Sequence, residues 1–201
     1  MKVGRRFLLI PGETPLSKAP PGTENRVPIR LSRGLAFGSG LHETTISCME
    51  ALEALGSLDH RSVLDVGTGT GILSLAALLL GTGCAVAFDI DGDAAQTCNL
   101  NATLNRVSDR LRVFQGTLEG LNPSARFDIV FANIHGDIIL KEAHRLTGHT
   151  RGEGYLILSG LDYTDNRPAK AVMEKQGMEE VSVLFLDDYV TQVWRRPPRR
   201  D

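Results

Sequence analysis

The segment Val63-Leu64-Asp65-Val66-Gly67-Thr68-Gly69-Thr70-Gly71-Ile72-Leu73 runs an apolar strand into three alternating glycines and then into a helix. A turn without Cβ atoms lets a ligand approach the backbone closely, and the positive end of the following helix attracts polar ligand groups. Nucleotide-type ligands use this architecture, and two readings compete. A nicotinamide dinucleotide fingerprint would need its third glycine at position 72, which is Ile72. Here that glycine is Gly71, and an acid, Asp65, stands at the strand end, a spacing that favours S-adenosylmethionine. Eighteen residues past Gly71 comes Phe88-Asp89-Ile90-Asp91, at the end of a second strand. A carboxylate at that tip can accept hydrogen bonds from both ribose hydroxyls of an adenosyl group. Asp89 is the better placed of the two, and Asp91 fits the N-cap of a helix starting near Gly92.

These residues need a scaffold, and the rest of the chain supplies one. From His42 the apolar positions Ile46, Met49, Leu52 and Leu55 make one stripe on a helix that ends near Gly56. Beyond it, β-rich runs at 62–66, 85–88, 111–114, 129–132 and 155–158 alternate with helical stretches. Continuous apolar strands alternating with helices predict an α/β fold whose parallel sheet is covered on both faces. Two last runs, 181–186 and 191–194, lie only four residues apart and predict a closing antiparallel hairpin. Near the start, residues 11–28 hold five of the nine prolines and should form an extended connector with little core. The runs 26–32 and 7–10 read as strands of a small flap.

Composition removes several classes. The 201 residues are 42% hydrophobic with a formal charge of -2, which argues against a general nucleic-acid binder. Cys48, Cys84 and Cys98 show no Cys-x-x-Cys spacing, so neither a disulfide framework nor a metal cage is expected, and a reducing, cytoplasmic setting is the simplest reading. The longest apolar run, 72–80, falls far below the roughly 20 residues that cross a bilayer. The basic start is followed by too short an apolar stretch for a signal peptide.

Read beside Ala36-Phe37-Gly38-Ser39-Gly40-Leu41-His42-Glu43-Thr44-Thr45, the glycine turn makes the chain resemble the PrmA family. Members methylate a protein of the large ribosomal subunit and have the Rossmann-like class I methyltransferase fold. The likeness runs from about Arg6 to Arg196. It takes in Phe88-Asp89-Ile90-Asp91, Phe131-Ala132-Asn133-Ile134 and Leu158-Ser159-Gly160-Leu161. The resemblance implies a seven-stranded, mostly parallel sheet and an S-adenosylmethionine site without metal. Thr45 and Gly67 would contact the cofactor, Asp89 would hold its ribose, and Asn133 would lie beside the transferring methyl as the catalytic residue. Phe37, Asp65, Gly69 and Gly71 complete the expected cofactor set. The chemistry of Asn133 agrees, because its side-chain carbonyl and a neighbouring backbone carbonyl are acceptors able to orient an amine. Plain structural readings stand beside these: Asn133 capping a helix near Gly136, Phe37 packing in the flap, and Thr44 and Thr45 starting a helix.

Two departures bear on function. Where the family usually follows Asn-Ile with Leu-Ala, this chain has His135-Gly136, so an ionisable ring lies near the acceptor entrance either as a proton acceptor or as a helix-start residue. The resemblance also begins within the family's linker, so the expected organisation is a connector and flap over 1–35, a methyltransferase domain over 36–196 and a basic tail over 197–201, without the domain that grips the ribosomal protein. The leading expectation is methyl transfer to a protein amine, a lysine or an amino terminus. A small-molecule or RNA methyltransferase, a nicotinamide-dependent oxidoreductase and a non-catalytic S-adenosylmethionine-binding module are the alternatives.

Overall fold

A computed structural model describes residues 1–12, 14, 15, 20–32 and 42–198. Three short strands come first, β1 (Lys2–Val3), β2 (Phe7–Pro11) and β3 (Val27–Leu31), followed by helix α1 (Glu43–Ala54). Alternation then sets in: β4 (Ser62–Val66), α2 (Ile72–Leu79), β5 (Cys84–Asp89), α3 (Gly92–Leu104), β6 (Leu111–Gln115) and β7 (Phe127–Asn133). The chain closes with α4 (Gly136–His149), β8 (Thr150–Asp162), α5 (Tyr163–Lys175), β9 (Glu179–Phe185) and β10 (Tyr189–Arg195). Seven strands form one sheet in the order β6-β5-β4-β7-β8-β10-β9. All its pairings are parallel except those of β10, which runs antiparallel to both β8 and β9. This is the expected fold, with the final strand inserted between β8 and its hairpin partner.

The order of the strands creates the site. From β4 the chain winds outward through β5 to β6, then crosses back so that β7 pairs with the other side of β4. Loops leaving β4 and β7 therefore part in opposite directions and open a crevice at the carboxyl ends of the two strands, where open α/β sheets bind ligands. Both strands are apolar on both faces. Leu64, Ile129, Val130 and Phe131 are fully buried, which holds the strand tips in fixed register.

Helix α2 has the sequence Ile-Leu-Ser-Leu-Ala-Ala-Leu-Leu and is buried nearly all round. A helix with no polar face needs cover on its outer side as well. That cover is the three-stranded sheet β1-β2-β3, whose Phe7 and Ile29 are completely buried in the same core cluster as Leu73, Leu75 and Ala76. The flap expected over this region is thus a packed layer. The free edge of β3 is closed by asparagine side chains of or next to α3: Asn105 accepts from and donates to the Arg30 backbone at 2.8 and 2.7 Å, and Asn101 accepts from Ser32 N at 2.7 Å. Covering an edge in this way blocks stray pairing.

One strand is longer than its hydrophobic pattern. β8 begins at Thr150, five residues before the apolar run at 155, and its register against β7 shifts between Phe127 and Ile129. Glu153, at φ 65°, marks the irregular stretch. Polar residues there hide the strand from a pattern-based reading.

Candidate active site

The glycine turn after β4 is built as its residue types require. Gly67, Gly69 and Gly71 have φ of 67, 55 and 82°. A Cβ on Gly67 would strike the Ile134 side chain, and one on Gly71 would lie 2.5 Å from Cys98 Sγ, so the turn has no room for side chains at either position. The backbone N–H groups of Gly67 and Thr68 both donate to Phe88 O at 3.0 Å, fastening the turn to β5.

Asp65 turns its carboxyl into this turn. It is 1% exposed, and its Oδ2 accepts from Thr68 Oγ1 at 2.7 Å, Ser74 Oγ at 2.7 Å and Ser74 N at 3.2 Å. Burial drives the carboxyl above the ordinary carboxylate range, against the opposing pull of the Thr68 and Ser74 hydrogen bonds. The folded chain therefore keeps a proton on this group at pH values where the unfolded chain has released it, from about pH 4 upward. Its contribution to stability is greatest below that pH and declines as pH rises to the raised folded value. Asp65→Asn should flatten the pH dependence of Tm over this window, as read by thermal denaturation in a pH series; a variant profile parallel to the wild type would count against it.

Asp89 lies half-buried at the tip of β5. Its Oδ2 accepts from Gly69 N at 2.9 Å and its Oδ1 from Asp91 N at 3.0 Å. A carboxylate offers about four acceptor positions, so each oxygen retains capacity for a further donor. Asp91 is the N-cap of α3, accepting from Asp93 N at 2.9 Å, as its sequence position suggested. Between the two acids, Ile90 is 73% exposed. The sequence reading did not single it out, although an apolar residue flanked by aspartates at a strand tip is a visible signal. Its side chain offers an exposed apolar surface next to Asp89.

Across the crevice, Asn133 ends β7 and pairs with Ser159 of β8. Its Nδ2 donates to Thr45 Oγ1 at a long 3.5 Å, and among the described residues its Oδ1, the acceptor of the same amide, has no hydrogen bond. Ile134 N donates to Ser159 O at 3.2 Å, and a Cβ on Gly160, at φ 78°, would collide with Ile134 O. With its side chain also over Gly67, the Asn133-Ile134 pair is wedged between the glycine turn and β8. Thr45 is 1% exposed in the first turn of α1, directed at Asn133. The cap of that helix is His42, whose Nδ1 lies 2.8 Å from Thr44 Oγ1 and whose ring meets Tyr189 edge-on at 5.2 Å. Phe37 lies outside the described residues.

Two residues after Asn133, His135 enters the wall of a cleft of about 550 Å³ that Asp137, Gly160, Asp162, Asp165, Asp188 and Tyr189 also line. His135 is the N-cap residue of α4 without a side-chain cap bond. Asp162 caps α5, and the hydrogen bonds it receives from Thr164 and Asp165 hold its carboxyl below the usual range. Four carboxyl groups make the cleft strongly acidic.

Sheet order, glycine turn and switch-point crevice define a Rossmann-like class I methyltransferase fold. Residues 1–196 match the family model described as ribosomal protein L11 methyltransferase (PrmA), and the chain belongs to that family. A ribosomal protein L11 methyltransferase of Bacillus velezensis is 33% identical over 197 residues, covering 98% of this chain and 61% of the relative. The chain thus spans less than two thirds of that relative's length. The crystal structure of a ribosomal protein L11 methylase from Lactobacillus delbrueckii subsp. bulgaricus superposes with a TM-score of 0.87 at 27% identity and 98% coverage of both chains. An RNA methyltransferase from Salinibacter ruber, solved with S-adenosyl-L-homocysteine, shares the fold at 17% identity with a TM-score of 0.60, over 77% of this chain and 94% of that one.

Proposed function

We propose that this chain is the catalytic part of an S-adenosylmethionine-dependent methyltransferase acting on a protein amine, with a ribosomal protein as the substrate its family membership supports. The observation that carries the reading is Asn133 at the switch point, followed by Ile134 packed against the glycine turn and by His135 in the wall of an acidic cleft. The cofactor fits the residues present. Gly67, Gly69 and Gly71 form a tight turn of left-handed backbone, Asp89 has acceptor capacity for ribose hydroxyls, and Ile90 offers an apolar face for a base. When bound, S-adenosylmethionine supplies an electrophilic methyl on a sulfonium.

The chain's own task is to present a neutral amine to that methyl. A lysine with an ordinary pKa near 10.4 is neutral in about one molecule in a few thousand at pH 7, a deficit of roughly 4.6 kcal/mol. Asp137, Asp162, Asp165 and Asp188 attract the cationic segment to the cleft, and they repel a phosphodiester backbone. Closer to Asn133, the apolar Ile134 side chain makes a drier surrounding that disfavours the ammonium form. Asn133 Oδ1 then orients the amine for in-line attack. The described residues contain no helix long and apolar enough to cross a membrane, and a cytoplasmic setting accords with a ribosomal substrate.

Incubating the chain with methyl-labelled S-adenosylmethionine and a fractionated cell extract tests the reading. Label is expected in a basic protein band. Label in RNA or small molecules would overturn the acceptor class, and cofactor binding without transfer to any fraction would leave a binding module.

A further inference from the structure

Thr191 lies on β10, away from the crevice, and is 0% exposed. Valine would fill the same place in a buried strand without a polar group to satisfy, so the hydroxyl is the unexpected feature. Its Oγ1 is 2.6 Å from Ser47 Oγ on α1 and 2.6 Å from Ser159 Oγ on β8, residues that are themselves 1% and 0% exposed. Ser47 Oγ in turn donates to Thr44 O at 2.9 Å.

Each hydroxyl has one proton, and this fixes the direction of the chain. Because Ser47 donates to the Thr44 carbonyl, Thr191 donates to Ser47 and Ser159 donates to Thr191. Cys48, beside Ser47 on α1, is fully buried, and burial pushes its thiol up to about 12, so no charge enters this region of the core. The polar run therefore reads Ser159, Thr191, Ser47, Thr44 carbonyl, with Thr191 linking β8 to α1. Such a buried chain is stiff, since removing one member orphans two others.

Both ends of this chain reach Asn133. Thr44 and Ser47 belong to the first turns of α1, which also carry Thr45, the partner of the Asn133 side chain. Ser159 supplies the carbonyl that accepts from Ile134 N, and Gly160 next to it packs on the Ile134 carbonyl. We propose, resting on the methyl-transfer reading above, that Thr191 is a positioning residue: its hydroxyl locks α1 to β8 and so fixes Asn133 from its side-chain and backbone sides together.

Thr191→Val keeps the shape and removes the link. With S-adenosylmethionine saturating, the variant should turn over roughly tenfold more slowly, as small misplacements of reacting groups do, while its affinity for the cofactor by calorimetry stays within about twofold. Thr191→Ser restores the hydroxyl and should restore the rate. A second readout needs no activity. Hydrogen exchange at Ile134 N–H should quicken about tenfold in Thr191→Val, with the mid-sheet amides of Leu64 and Ile129 unchanged. Unchanged rate and unchanged Ile134 exchange would overturn the proposal, as would a uniform acceleration at all three amides, which marks a general loss of stability. Should Thr191→Val fail to fold, Ser47→Ala breaks one link of the same chain and is read in the same way. A wild-type chain that transfers no methyl refutes the function reading instead, and exchange at Ile134 then decides the role of Thr191 alone.

Discussion

Asn133→Ala is expected to lower the single-turnover rate of methyl transfer roughly 100-fold, about 2.7 kcal/mol of barrier, with the affinity for S-adenosylmethionine changed less than about twofold. The separation follows from where the side chain sits. Asn133 is half-buried at the tip of β7, and its one hydrogen bond within the described chain, to Thr45, is 3.5 Å long. Little folding energy therefore rides on the side chain, and the backbone of the loop is held by Ser159 and Gly160 whatever residue stands at 133. What alanine removes is the carbonyl that orients the amine. Rapid-quench measurement of the first turnover, beside calorimetric titration of the cofactor, checks both halves. A variant that binds the cofactor weakly but reacts at the wild-type rate once saturated would assign Asn133 to binding.

The parts of this site legible in the sequence are those set by local stereochemistry. Three alternating glycines after an apolar strand announce backbone in the left-handed region, and all three adopt it. Asp91 followed by a helical run announces a cap, and Asp91 caps α3. The strand and helix alternation that specifies the sheet is equally local, and even the short final hairpin was visible from spacing. Thr191 was not visible, because its partners Ser47 and Ser159 stand 144 and 32 positions away and no periodicity joins them. The strand-end position of Asp65 is legible, but only the fold brings Thr68 and Ser74 around it and turns its carboxyl inward. The first strands were legible as strands, but their packing was not, for a related reason. Proline-rich flanks suggest a loose connector, yet Phe7 and Ile29 are needed to cover an apolar α2, a requirement that belongs to the helix more than to the strands themselves.

Asp89→Ala is expected to weaken S-adenosylmethionine binding at least about 100-fold, some 2.7 kcal/mol or more, with the rate at saturating cofactor little changed. A hydrogen bond to a charged group contributes about 1.5–3 kcal/mol, and a carboxylate facing two ribose hydroxyls makes two. The loss has a second source inside the chain, because Asp89 Oδ2 also receives Gly69 N at 2.9 Å, so alanine frees the middle of the glycine turn. Asp89→Asn separates the two sources. It retains one acceptor oxygen, enough for Gly69 or for one hydroxyl but without the charge, and should lose about tenfold. S-adenosylhomocysteine carries the same ribose and must lose affinity by the same factor as the cofactor in both variants. Equal calorimetric affinities for wild type and Asp89→Ala would sink the ribose assignment, and a loss confined to S-adenosylmethionine would move Asp89 from the ribose to the sulfonium end of the site. Since Asn133→Ala is expected to spare binding and Asp89→Ala to spare turnover, the two variants together locate the adenosyl end at β5 and the methyl end at β7, on opposite sides of β4.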